Sequence, residues 1–156
     1  MPFQPIDPDA VLVSMEDATD PLSAYSRHGF ELDGETWPSV AHYFEAMKFT
    51  DTDLRKAICA TDTPYAAKRL ARRNRRRIRD DWNGLRETYM TRGVYRKCRT
   101  SEDAANALLD TGRRRIIETS QYDYYWGCGR DTRGLNTYGK VLMQVRDRLR
   151  EEPRPA

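Results

Sequence analysis

The sequence TWPSVAHYFEAMKF, residues 36–49, decides the fold. Apolar side chains recur within it at positions i, i+3, i+4 and i+7, the spacing that one buried face of an α-helix requires. These four residues are Val40, Tyr43, Phe44 and Met47. Because proline suits the first turn of a helix, the pattern predicts a helix that opens at Pro38.

The same helix carries a polar row beside its apolar face. At about 100° per residue, position 41, Glu45 and Lys48 lie along this flank. A carboxylate and an amine at the edge of a core border a cleft. This flank is therefore the first place where we expect a functional site.

A second aromatic-rich stretch is SQYDYYWGCGRDTRGLNTYGKVLM, residues 120–143. Three tyrosines, Asp123 and Trp126 stand directly before Gly127 and Gly129. The pattern predicts a rigid aromatic wall, followed by backbone that can approach a ligand closely. Such a wall suits a flat base or a sugar.

Helical patterns dominate the rest of the chain. Thr63 and Pro64 supply an N-cap and a first-turn proline, and Ser101 begins a further helix that Gly112 ends. Short strands are predicted at three places, near residues 11–15, 30–32 and 114–119. The sequence therefore predicts an α+β fold, a mainly helical single domain with a few short β-strands.

Length and composition limit the alternatives. A chain of 156 residues suits one core, so we expect a single domain over residues 1–156 with flexible ends at 1–10 and 151–156. With 38% apolar and 33% charged residues, no apolar run is long enough for a membrane span or a signal peptide. We expect a soluble, cytoplasmic protein without a membrane partner.

The sequence predicts neither a metal nor a cofactor. The three cysteines lack the spacing of metal ligands or of a disulfide framework, and the chain has only two histidines. No P-loop, dinucleotide-binding glycine fingerprint or Ser/Cys nucleophile motif is present. Nucleoside triphosphate hydrolysis and redox chemistry are therefore disfavoured.

Positive charge is concentrated in one segment, although the formal net charge is only +3. Eight Lys and Arg residues fall within residues 68–79. Such a run binds the phosphates of a nucleic acid or of a dinucleotide substrate. It also fits a solvated helix face that Asp80 and Asp81 balance, and the sequence leaves both interpretations open.

Taken together, these blocks resemble the NADAR (NAD- and ADP-ribose-associated) family over nearly the whole chain. The resemblance covers residues 22–49, 108–129 and 139–149, together with Trp82, Met90 and Asn136. It implies a NADAR-like fold and an N-glycosidase that hydrolyses a bond between ribose C1 and nitrogen. Two substrates follow from it: ADP-ribose attached to guanine in nucleic acid, which the local arginines favour, or phosphoribosylamino-pyrimidine intermediates of riboflavin synthesis.

One position departs from the family pattern. Where the family usually has Glu before His-Tyr-Phe-Gln, this chain has Ala41, and Glu45 replaces the family's amide. Glu45 covers the missing role from one turn away, or Ala41 is an introduced substitution, or the chain is an ADP-ribose-binding module without catalysis. If the missing carboxylate limits the reaction, Ala41→Glu raises turnover.

The resemblance also implies catalytic roles along the flank and in the second stretch. Lys48 holds a phosphate or ribose oxygen, or attacks C1 of an opened ribose; an exposed ion pair with Glu45 is the structural alternative. Glu45 activates water or protonates the departing nitrogen. Asp123 orients ribose hydroxyls or assists the base, unless it only caps a turn.

The remaining site residues are predicted to bind substrate. Trp126 stacks on the base, with Trp82 or Tyr43 on its other side, although the helical spacing of Trp82 also suits the core. Asn136 donates to a phosphate or sugar, or caps the last helix. The backbone of Gly127 and Gly129 and the side chain of Arg69, which matches a family arginine, complete the predicted set.

Overall fold

The computed structural model describes residues 7–152. The helices are α1 (Val40–Met47), α2 (Thr52–Cys59), α3 (Pro64–Arg73), α4 (Trp82–Thr100), α5 (Glu102–Leu109) and α6 (Thr137–Glu151). The strands are β1 (Val11–Val13), β2 (Phe30–Leu32), β3 (Glu35–Trp37) and β4 (Ile116–Glu118). The predicted mainly helical α+β class is confirmed. Most of the two ends predicted to be flexible lie outside the described residues.

Helix α1 is the centre of the fold. All eight of its residues are buried, and it packs against α2, α3 and α4. Gly93 on α4 allows the close approach, because a Cβ there would lie 3.2 Å from both Val40 and Tyr43. Helix α1 is therefore buried along its whole length.

The predicted start of α1 at Pro38 is wrong by two residues. The helix begins at Val40, because Ser39 is its N-cap and accepts a hydrogen bond from the backbone N–H of His42. The caps Thr63 and Ser101 are confirmed: each side chain accepts from the N–H three residues later. Asp81 stands at the N-cap position of α4 without capping it, since its carboxylate pairs with Arg79.

The strands form two small sheets. β1 pairs with β4 in parallel, with Val11 opposite Ile116 and Val13 opposite Glu118. β2 pairs with β3 in an antiparallel hairpin, whose second strand was not predicted from the sequence. The parallel pair brings the loops after β1 and β4 side by side, and both loops enter the site.

Lys97 of α4 fixes the loop of residues 21–26, which lies between β1 and β2. Lys97 is 1% exposed, and its ammonium donates to the carbonyls of Pro21 and Ser23 and to the hydroxyl of Ser26. Burial lowers the pKa of Lys97 to about 8. No helix within residues 7–152 is both long and apolar enough to cross a bilayer.

Candidate active site

A cavity of about 640 Å³ opens between α1, α3, α4 and the loops after β1 and β4. This volume is that of a typical small-molecule site. Five predicted site residues line it: Ala41, Glu45, Lys48, Asp123 and Trp126. Polar residues that were not assigned to the site from the sequence also line it, namely Glu16, Tyr25, Lys68, Arg72, Ser120 and Gln121.

Glu45 and Lys48 form the charged centre of this cavity. The Glu45 side chain is 8% exposed, and its Oε2 lies 2.7 Å from the Nζ of Lys48. Apart from Lys48, no polar group of the described residues bonds this oxygen. Burial raises the pKa of Glu45, while the charges of Lys48, Lys68 and Arg72 oppose the shift. The carboxyl therefore retains its proton to higher pH than an exposed glutamate does.

Ala41 lies on the same wall, one turn before Glu45. It is 4% exposed, and its N–H donates to the carbonyl of Ala24 at 2.9 Å. Because its side chain is a single methyl group, this part of the wall carries no charge. Helical periodicity alone predicted that positions 41, 45 and 48 share one side, and all three line the cavity.

A second carboxylate, Glu16, enters from the loop after β1. Its side chain is about half exposed and pairs with Lys68 of α3, with 2.5 Å between Nζ and Oε1. The hydroxyl of Tyr25 donates to the same oxygen at 3.3 Å. Burial raises the pKa of Tyr25, so this hydroxyl keeps its proton. Glu16 was missed because it stands in a polar loop segment with no periodic pattern.

Glu118 joins the two loops that frame the cavity. It is fully buried at the end of β4, and its carboxylate accepts from the N–H of Met15 at 2.7 Å and of Ser120 at 2.6 Å. One side chain therefore fixes the residue before Glu16 and the start of the aromatic stretch. Sequence analysis gave Glu118 no role.

Asp123 and Trp126 form the opposite wall. Asp123 lines the cavity and also caps a turn, since its Oδ1 accepts from the N–H groups of Tyr125 and Trp126 at 3.0 and 2.8 Å. Trp126 meets Phe44 edge to face, with ring centroids 5.4 Å apart. Of the predicted aromatic wall, Tyr122 and Trp126 line the cavity, and Trp126 joins the second stretch to α1.

Two predicted aromatic contacts do not reach the cavity. Tyr43 is fully buried against Trp37 and Phe30, so its position corrects the expectation that it closes over a base. Trp82 lies behind Phe44 at 5.0 Å and stacks on Tyr89. Both rings belong to the core, which their helical spacing also indicated.

Gly127, Gly129 and Asn136 shape the loop without lining the cavity. A Cβ on Gly127 would lie 2.6 Å from the Glu118 carboxylate, and Gly129 has φ of 72° beneath the ring of Tyr124. The Asn136 amide accepts from the N–H of Glu118 and donates to the carbonyl of Ile116. It therefore neither caps α6 with its side chain nor faces a ligand.

Helix α3 places two cations of the basic run at the cavity. Lys68 and Arg72, one turn apart, line it, whereas Arg69 is exposed to solvent and does not. The family resemblance predicted Arg69 as a site residue, but the cations of this helix that reach the cavity are Lys68 and Arg72. Within residues 7–152, no group of three or more His, Cys, Asp or Glu residues could hold a metal ion.

Two proteins with similar sequences are named N-glycosidases. An N-glycosidase of Nostoc punctiforme is 37% identical over 132 residues, which are 83% of this chain and 85% of that protein. The N-glycosidase YbiA of Escherichia coli K12 is 31% identical over 136 residues, 87% of this chain and 85% of that protein. The predicted enzyme class, a glycoside hydrolase, is confirmed.

The family match covers residues 12–150 and is to the NADAR domain. This chain belongs to the NADAR domain family. The NMR structure of the E. coli protein YbiA has a TM-score of 0.80 and 29% identity, covering 95% of this chain and 89% of that one. A riboflavin biosynthesis protein of Vibrio vulnificus is 36% identical over 118 residues, 76% of this chain and 32% of that longer protein.

Proposed function

We propose that this protein hydrolyses the bond between ribose C1 and nitrogen in ADP-ribosylated guanine of nucleic acid. One observation carries the proposal: a buried carboxyl with a raised pKa, Glu45, shares a nucleotide-sized cavity with the cations Lys48, Lys68 and Arg72. An acid and several phosphate-binding groups are what such a reaction requires.

The departing nitrogen needs a proton, because cleavage passes through an oxocarbenium-like state with negative charge on the leaving group. Glu45 supplies this proton, since burial favours its protonated form. The Nζ of Lys48 lies 2.7 Å from the Oε2 of Glu45. Lys48 binds a ribose or phosphate oxygen and orients the Glu45 carboxyl towards the bond that breaks. Trp126 and Phe44 form the apolar wall for the base.

The phosphates are bound from α3. Lys68 and Arg72 lie on the cavity side of this helix, and an arginine fork suits a phosphate group. Cations at this rim of the cavity suit the diphosphate of ADP-ribose while the ribose lies beside Glu45.

Nucleic acid is the favoured carrier because the positive surface continues beyond the cavity. Of the eight cations in residues 68–79, Lys68, Arg77 and Arg79 have carboxylate partners. Arg69, Arg73, Arg75 and Arg76 are exposed, and none forms an ion pair with the acidic residues of the described chain. Such arginines neutralise backbone phosphates.

The test compares an ADP-ribosylated oligonucleotide with free ADP-ribosyl-guanosine. We expect charge reversal of Arg73, Arg75 and Arg76 to raise KM for the oligonucleotide and to reduce its salt dependence, by about 0.7 in the log–log slope for each lost single-strand contact. The free nucleoside should be turned over as before. An unchanged salt dependence would remove nucleic acid from the proposal. Binding of ADP-ribose by calorimetry without any turnover would instead favour a binding module.

A second substrate is favoured by one specific finding. The Vibrio vulnificus relative is named for riboflavin biosynthesis. A phosphoribosylamino-pyrimidine has the same ribose C1–N bond and one phosphate, which Lys68 and Arg72 would bind. Faster turnover of this compound than of ADP-ribosyl-guanosine, with no effect of the exposed arginines, would make it the preferred substrate.

A further inference from the structure

Hydrolysis of an N-glycoside needs a second polar group besides the acid. After the nitrogen leaves, an anion must face the positive ribose and accept a proton from water. Glu45 serves as the acid, and position 41 of this chain is a methyl group. If the proposed function holds, the second carboxylate must therefore come from another part of the cavity. Asp123 also lines the cavity, but its Oδ1 is engaged by two backbone N–H groups, which makes Glu16 the stronger candidate.

Glu16 is a carboxylate in the same cavity and on a different wall. It reaches the cavity from the loop after β1, whereas Glu45 lies on α1. Lys68 pairs with Glu16, and its charge also lowers the pKa of Glu45. Tyr25 donates to Glu16, and both carboxylates help to raise its pKa. Glu16 and Glu45 therefore lie close to the same part of the cavity.

The position of Glu16 is fixed more firmly than that of an ordinary surface residue. Its carbonyl accepts from the hydroxyl of Tyr65, and the preceding residue, Met15, donates its N–H to the buried carboxylate of Glu118. The side chain is held by Tyr25 and Lys68. A surface ion pair alone contributes little to stability, so stability does not explain contacts from several sides.

We propose that Glu16 is the second catalytic carboxylate of this N-glycosidase and replaces the carboxylate that position 41 lacks; this inference rests on the proposed function. The C1–N bond breaks, its electron pair goes to nitrogen, and Glu45 transfers a proton to that nitrogen. Water then forms the new C1–O bond and gives its proton to Glu16. The products are a free base and a ribose with a C1 hydroxyl, and solvent exchanges the two protons.

This assignment changes the expectation for position 41. With Glu16 present, Ala41→Glu changes turnover by less than about threefold, since the anionic role is already filled. In a Glu16→Gln background, the same substitution restores turnover. Such a rescue of activity is the result expected when the two positions serve one chemical role.

The experiment measures kcat, KM and melting temperature for the full chain and for variants Glu16→Gln, Ala41→Glu and their combination, using ADP-ribosyl-guanosine and a phosphoribosylamino-pyrimidine. We expect Glu16→Gln to lower kcat about a hundred- to ten-thousandfold with an unchanged melting temperature. The double variant should recover at least tenfold. Glu152→Gln is the matched control, because Glu152 forms a similar half-exposed ion pair with Arg148 outside the cavity.

The outcomes separate this proposal from the proposed function. If Glu16→Gln stays within threefold of the unmodified chain while Glu45→Gln is inactive, the function stands and the role of Glu16 is overturned. A loss of kcat that Ala41→Glu does not reverse, accompanied by a lower melting temperature, makes Glu16 structural and also overturns it. If the unmodified chain turns over neither substrate, both proposals fail together.

Discussion

Lys97 and Lys48 lie on either side of the loop of residues 21–26, and their surroundings differ. Lys97 supports the fold, whereas Lys48 lies in the cavity. Behind residues 21–26, Lys97 is 1% exposed and donates to three oxygen atoms. In the cavity, Lys48 is 20% exposed at its side chain and has a single carboxylate partner, Glu45. The loop between them supplies Ala24 and Tyr25 to the cavity wall.

The difference lies in how completely each polar group is satisfied. The three protons of the Lys97 ammonium have three acceptors, as buried polar groups in folded proteins usually do. In the cavity, Lys48 is the one polar contact that the described residues make with Glu45 Oε2, and burial raises the pKa of Glu45. Incomplete pairing with a shifted pKa is typical of sites that bind or react. From this difference we expect Lys97 to matter for stability and the Glu45 and Lys48 pair to matter for activity.

The largest expected effect is on catalysis at Glu45. Glu45→Gln keeps the shape of the side chain and removes its proton transfer, so kcat should fall about a hundred- to ten-thousandfold. The free energy of unfolding at neutral pH should stay constant or rise, because a carboxyl whose pKa is raised in the folded state costs stability when it is ionised. Steady-state kinetics and urea unfolding measure the two quantities. A large loss of stability at unchanged kcat would reverse the comparison.

Next in size is the loss of Lys48. Lys48→Ala should lower kcat about a hundred- to a thousandfold, as the removal of one stabilising charge in an active site does. Because the Lys48 charge now lowers the pKa of Glu45, its removal lets that pKa rise further. The alkaline limb of the kcat profile, where Glu45 loses its proton, should therefore move to higher pH.

The pH–rate profile of the residual activity checks this direction. Lys68→Ala should move the same limb by a smaller amount, because Lys68 is a weaker cause of the lowering than Lys48. A limb that moves to lower pH in Lys48→Ala would rule out Glu45 as the group that must be protonated.

The third effect is on stability at Lys97. Lys97→Met leaves three buried oxygen atoms without a donor, and the free energy of unfolding should fall by about 2–4 kcal/mol. Lys140→Met, at an exposed position on α6, is the control and should change it by less than about 0.5 kcal/mol. Chemical denaturation of both variants makes the measurement. Equal stabilities would mean that Lys97 does not support the loop.

The smallest effect is expected from two arginines on α3. Arg72→Gln should raise KM about tenfold for a substrate with a phosphate, because Arg72 lines the cavity. Arg69→Gln, three residues earlier and facing solvent, should leave KM for a free nucleoside substrate within about twofold. The reverse order would show that the family match located the phosphate group better than the cavity does.

Local patterns predicted much of the fold and five of the residues that line the cavity. The spacing of Val40, Tyr43, Phe44 and Met47 fixed α1, and the caps Thr63 and Ser101 began their helices as expected. The antiparallel strand β3 was missed, since three residues carry too little periodicity to be recognised. Tyr43 and Trp82 were misplaced because one helical spacing describes both a core ring and a ring beside a ligand.

By itself, the sequence determined which residues share a helix face and which family the chain belongs to, because caps and the 3.6-residue period act between near neighbours. Only the tertiary structure decided that Glu16 meets Lys68, 52 positions away, and that Glu118 binds Met15, 103 positions away. The second contact depends on how β1 and β4 pair, and the first on how α3 packs beside the loop after β1. Neither contact leaves a local sequence pattern. Glu45 on α1 was therefore readable from the sequence as a candidate site residue, while Glu16 was found beside it only when the loops were folded together.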